Sequence, residues 1–144
     1  MVALIDTNIL VYRFDHRFPA KRWIAINLLR NGVAQDSIRV PHQAIVEFVA
    51  AASRTTGGRS ILSESEARRE AEEFLAQFTI LYPNEDILRL ALRGSAAYGL
   101  SWFDSHLWAY AEHYGLGEIV TEDLQHDRLY GKVRATNPFI DLSE

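Results

Sequence analysis

The chain has 144 residues, 48% of them hydrophobic, which suits one domain spanning 1–144 around a sizeable core. Its lack of cysteine excludes disulfides, thiolate metal sites and cysteine nucleophiles together, so any metal must be held by oxygen or imidazole. A net charge of −4 does not advertise a nucleic-acid partner, because phosphate binding ordinarily relies on a basic surface.

Charge interrupts each apolar stretch too soon for a spanning helix, and the first residues lack a basic region followed by a small-residue cleavage site. A cytoplasmic protein with no membrane partner is the expectation. The run VALIDTNIL begins as a buried strand, with Asp6 at its carboxyl end, where open α/β folds place their chemistry. Thr7 to Phe14 suits a short helix, and Pro19 opens a second one that runs to a stop at Asn31-Gly32. Ile38 to Val40 reads as a strand, and Pro41 starts the helix HQAIVEFVAAASR. The loop TTGGRS, Thr55 to Ser60, leads into Ser63-x-x-Glu66, a capping box for a charged helix through Gln77. Thr79 to Tyr82 is a third strand, stopped by Pro83, and a helix follows to about Tyr98 before Gly99. The helix WFDSHLWAYAEHYG, the strand Glu118 to Thr121, a turn around TEDLQHD and a strand near Val133 to Thr136 complete the pattern. Strands alternating with helices predict an α/β/α sandwich: a mostly parallel sheet of four or five strands with helices on both faces.

Four acids stand out. Glu64, Glu66, Glu70, Glu72 and Glu73 form the solvated face of an amphipathic helix and need no further explanation. Asp6, by contrast, ends a buried strand, and Asp123 holds the same place after the strand EIVT. Glu47 shares a helical stripe with Ala44, Phe48 and Ala51, and Asp104 heads a stripe with Leu107, Trp108 and Ala111. Each has a structural reading: Asp6 and Asp123 as helix caps, Asp104 as a complement to the helix dipole, Glu47 as partner of a buried arginine. Together they can converge on one sheet edge, and unpaired buried carboxylates cost several kcal/mol each, roughly, without compensation. A hard divalent cation, Mg²⁺ or Mn²⁺, is the compensation an all-oxygen donor set selects.

In order along the chain, IDTNIL, IVEF, LSWFDSHLWAYA and IVTEDLQHD resemble the signature of PIN-domain ribonucleases, in particular the VapC-type toxins of toxin-antitoxin pairs. The resemblance covers essentially the whole chain and implies a metal-dependent endoribonuclease. On that reading Asp6, Glu47, Asp104 and Asp123 form the acidic metal site for one or two Mg²⁺ or Mn²⁺ ions, with Asp6 and Asp104 bridging. Thr7 and Asn8 match the polar pair that orients the first acid, and Thr121 matches a hydroxyl position near the metal or the scissile phosphate. Two departures stand in the motifs: Ser105-His106 where small or aliphatic residues are common, and Asp127 where a glycine is common. Asp123 is taken as the fourth acid, with Asp127 and Glu122 as alternatives. An RNA substrate, a cognate antitoxin and a homodimer are implied as partners.

Arg13, Arg17, Lys21 and Arg22 follow the first acid and offer either phosphate contacts or an ordinary helix surface. Tyr12, Phe14, Trp23, Trp102 and Phe103 either stack on bases or pack in the core. The histidines lack His-Glu-x-x-His spacing and read as surface or capping residues. A haloacid-dehalogenase phosphatase needs a second Asp where Asn8 stands, and a receiver domain needs a lysine after a late strand, where only Lys132 lies, beyond a loop. No Gly-x-Gly-x-x-Gly supports dinucleotide binding. The alternative is a catalytically silent PIN fold that serves as a protein- or RNA-binding module.

Overall fold

The computed structural model describes residues 1–142. Strand β1 (Ala3–Ile5) buries Ala3 and Ile5 on one face and Leu4 on the other, the pattern of a strand covered on both sides. Helices α1 (Thr7–Tyr12) and α2 (Pro19–Gln35) carry the chain to β2 (Ile38–Pro41), and α3 (His42–Ser53) and α4 (Glu64–Gln77) carry it on to β3 (Ile80–Leu81). Helices α5 (Glu85–Tyr98) and α6 (Trp102–His113) return it to β4 (Glu118–Val120), and the hairpin β5 (Leu129–Tyr130) and β6 (Val133–Thr136) follows.

The sheet order is β3-β2-β1-β4-β6-β5, parallel throughout except for the antiparallel β5–β6 pair. The mostly parallel, helix-flanked sheet expected from the sequence is therefore present, but with six strands instead of four or five. The extra strand is the two-residue β5, too short to carry a period-2 signal. One core packs Ile5, Ile9, Leu29, Val40, Phe48 and Phe74 under α1 to α4, and the other packs Leu4, Ile87, Trp108, Tyr110 and Ile119 under α5 and α6.

The second helix passes the expected stop at Asn31-Gly32 and ends at Gln35, where Asp36 takes the left-handed conformation. Gly32 is retained inside it because a Cβ there would lie 2.6 Å from Ile38 side-chain atoms. Close packing on β2 thus outweighs the ~1 kcal/mol propensity penalty of glycine. The first helix also stops at Tyr12, two residues short of the expected Phe14.

The chain runs outward from β1 through β2 to β3 and then crosses back, placing β4 on the other side of β1. The carboxyl ends of β1 and β4 flank this reversal, the crevice where open α/β sheets bind ligands. Among the described residues no helix is long and apolar enough to cross a membrane.

Candidate active site

Asp6 follows β1 and caps α1, its Oδ1 accepting from the Thr7 amide at 2.7 Å. The capping reading of Asp6 is therefore realised, yet it accounts for only one oxygen. Its Oδ2 accepts from the Thr121 hydroxyl at 2.6 Å and from Asn8 Nδ2 at 3.4 Å. Asn8 Nδ2 also donates to Asp123 Oδ2 at 3.1 Å, so one amide group ties the acids that follow β1 and β4. Thr121 Oγ1 accepts from the Asp123 amide at 3.0 Å, and no helix follows Asp123 for it to cap.

Glu47 projects from α3 toward α1. Its Oε2 accepts from the Thr7 hydroxyl at 2.7 Å and its Oε1 from Gln43 Nε2 at 3.1 Å, and no arginine pairs with it among the described residues. Gln43 Nε2 also donates to the Phe103 carbonyl at 3.3 Å, which links α3 to the start of α6. There Asp104 stands in the first turn, with Ser101 Oγ accepting from its backbone amide at 3.2 Å. No ion pair holds Asp6, Glu47, Asp104 or Asp123 among the described residues. All four line one cleft of about 1070 Å³, together with Thr7 and Asn8.

Electrostatics record the crowding. Burial pushes the Asp6 carboxyl up from 3.8 to about 7; the Thr121 and Thr7 hydrogen bonds oppose this, and the charges of Asp123 and Asp104 add to it. Burial, then the Asp104 charge, also raises Asp123. A divalent cation fits this donor set in kind: every ligand is a hard oxygen, and the buried Asn8 Oδ1 has no hydrogen-bond partner. In spacing the acids are looser than a closed shell, since among the described residues no three Asp, Glu or His side chains are gathered closely enough to hold an ion.

The two alternative fourth acids are engaged elsewhere. Asp127 is exposed, takes the left-handed conformation with φ of 64°, and lies 3.4 Å from His126. That backbone conformation accounts for the preference for glycine at the position. Glu122 does line the cleft, but it accepts from the Tyr12 hydroxyl at 2.7 Å and from Lys21 Nζ at 3.0 Å.

The PIN domain matches residues 3–132, which run from β1 into the β5–β6 turn. The chain belongs to the PIN-domain family. This PIN domain is similar in fold to VapBC2 from Rickettsia felis bound to a DNA fragment from their promoter, with a TM-score of 0.69, 13% identity and coverage of 95% of this chain and 98% of that one. A toxin-antitoxin complex from Klebsiella pneumoniae matches with a TM-score of 0.65, 19% identity and coverage of 94% and 97%. FitAcB from Neisseria gonorrhoeae matches with a TM-score of 0.64, 17% identity and coverage of 96% and 99%. Comparison with curated proteins finds no match.

Of the early basic group in this PIN domain, Arg17 alone lines the cleft, held by Asp15 at 2.8 Å. Arg13 lies over the Phe14 and Phe74 rings, while Lys21 pairs with Glu122. Of the aromatic group, Tyr12, Phe14 and Phe103 reach the cleft, and Phe103 is 66% exposed. The histidines stay dispersed: His106 bonds the Trp102 carbonyl, His113 meets Asn84, and His126 accepts from the Asn137 amide. The sequence reading missed Gln43, Asp15, Arg54 and Arg59 as cleft residues. Gln43 and Arg54 had a visible signal, at spacings of four and seven from Glu47 on one helix.

Proposed function

We propose that this PIN domain is a metal-dependent endoribonuclease and the toxin of a type II toxin-antitoxin pair, with RNA as substrate and a cognate antitoxin as partner. The observation that carries the reading is the set of four acids, Asp6, Glu47, Asp104 and Asp123, lining one cleft at the sheet reversal with none of them held in an ion pair among the described residues. PIN domains are generally nucleases, and the fold neighbours named above include toxin-antitoxin complexes.

Asp6, Asp104 and Asp123, with Glu47, would hold Mg²⁺ or Mn²⁺. When bound, such an ion supplies Lewis-acid polarisation of the phosphate and an activated water, so no side-chain nucleophile is required. The chain's own groups do the positioning. Thr7 and Gln43 fix both oxygens of Glu47, Asn8 spans Asp6 and Asp123, and Thr121 keeps the Asp6 carboxylate oriented by donating to it. These bonds lock the carboxylates before substrate arrives, which is the preorganisation that hydrolysis of a charged diester needs.

The second reading, a silent binding module, draws on the loose spacing of the acids. Incubating total RNA with Mn²⁺ or Mg²⁺, beside EDTA and beside Asp6→Asn and Asp104→Asn proteins of unchanged circular dichroism, separates the two. Discrete cleavage by the wild type, lost in every control, is the expected result. Intact RNA, with no Mn²⁺-dependent rise in melting temperature, would leave the binding module. Homodimer formation belongs to the same proposal, and light scattering after size exclusion reads it.

A further inference from the structure

Beside its acids, the cleft is also lined by Arg17, Arg54 and Arg59. Helix α3 carries Glu47, and Arg54, its C-cap in extended conformation, follows seven residues on, about 10 Å of helix rise away, with Ala50 and Ala51 also lining the cleft.

Arg59 is fixed by the turn before it. Gly57 and Gly58 both take positive φ, 61° and 79°, and Thr56 and Arg59 exchange backbone hydrogen bonds of 2.7 and 3.2 Å, a two-residue hairpin only glycine-like residues close easily. Arg54 and Arg59 are exposed and make no ion pair among the described residues, whereas Arg39, Arg68 and Arg89 each meet an acid on their own segment. Buried Asp15, which also lines the cleft, accepts from Arg17 Nε and Nη2 at 2.9 and 2.8 Å, which sets the direction of that guanidinium.

Resting on the nuclease reading above, we propose that Arg54 and Arg59 form a track for the phosphodiester backbone of single-stranded RNA beside the cleavage site. Guanidinium groups suit phosphate oxygens through paired N–H donors. A single strand is favoured because Phe103, at the acidic rim and largely exposed, offers a ring face to an unstacked base. An acidic protein segment would also satisfy the arginines, but it has no base to place on Phe103 and brings further carboxylates toward the four acids.

The test is fluorescence anisotropy of a short labelled single-stranded RNA of mixed sequence, titrated with the full chain in EDTA over a KCl series, so that no strand is cut. Arg54→Ala/Arg59→Ala should weaken binding about tenfold or more at low salt and flatten the slope of log K against log salt by about 1.4, two contacts at about 0.7 each. Arg54→Lys/Arg59→Lys should keep most of both. Unchanged affinity and slope in the alanine pair overturn the track while leaving the nuclease standing. Loss of polyglutamate binding with RNA binding intact overturns it in favour of a protein-docking surface. A wild type that binds no RNA in EDTA yet cuts with Mn²⁺ also overturns the track alone; one that neither binds nor cuts sinks the nuclease reading beneath it.

Discussion

Thr121 Oγ1 joins the two strand ends of the site, donating to Asp6 Oδ2 at 2.6 Å while accepting from the Asp123 amide at 3.0 Å. Thr121→Val keeps the volume and removes both bonds within a fully buried setting. The expected loss is about 2 kcal/mol of stability, with the Asp123 amide left unpaired and Asp6 Oδ2 keeping only its long bond from Asn8 at 3.4 Å. RNA cleavage should fall further than that loss explains, and Thr121→Ser should recover most of it. Denaturant titration beside a cleavage assay reads both.

Asp6 predicts an unusual pH dependence. Its carboxyl ionises near 3.8 when unfolded and near 7 when folded, chiefly through burial. Between those values the native chain holds a proton that the unfolded chain has released, so stability is fully present at the acid end and falls as pH climbs toward 7. The fall from this group is at most about 4 kcal/mol, at about 1.4 per pKa unit. Asp6→Asn lacks it. In EDTA the stability of Asp6→Asn relative to wild type should grow from about pH 4 to about pH 8, and Mn²⁺ should shrink the difference. A pH-independent difference in urea melts contradicts this account.

Lys21 links α2 to the acidic rim. Burial alone would lower its pKa, but bonds to Glu122 and Tyr12 hold it above the ordinary lysine value. With both side chains of the pair mostly buried, Lys21→Met leaves the Glu122 carboxylate uncompensated beside Asp123 and should cost about 2 to 3 kcal/mol. Lys21→Met/Glu122→Gln should regain part of it, which a double-mutant cycle in urea measures.

Gly94 is the contact point of α5 with α6. A Cβ there would lie 2.5 Å from Trp108 Cε3, and the Trp108 ring is anchored by its Nε1 donating to the Tyr130 carbonyl at 2.9 Å. Gly94→Ala should therefore destabilise by about 1 to 3 kcal/mol despite alanine's better helix propensity. Thermal melts should show the drop, and Trp108→Leu should soften it.

Legibility in the sequence followed the range of the interaction. Asp6 and Asp123 were visible because a strand's end is a local event, and Glu47 and Asp104 because a helical stripe repeats within a few residues. The Lys21–Glu122 pair spans 101 residues and left no local trace. Strand β5 was missed because two residues carry no alternation, and the end of α2 because Gly32 serves contact with Ile38 rather than termination. Arg54 stood in plain view on the Glu47 stripe, but only the folded cleft gives that spacing a direction.

The position of β1 between β2 and β4 carries a last consequence, for the order of events during synthesis. Thr121, whose hydroxyl bonds Asp6, is made 115 residues after it, and Asp123 follows two residues later. No contiguous fragment that stops short of β4 can bring the four acids together, because the pairing that unites them is among the least local in the fold. A growing chain, or one abandoned by the ribosome before that strand, thus lacks the four-acid cluster, and the assembled acidic site exists only once β4 and Asp123 have been made.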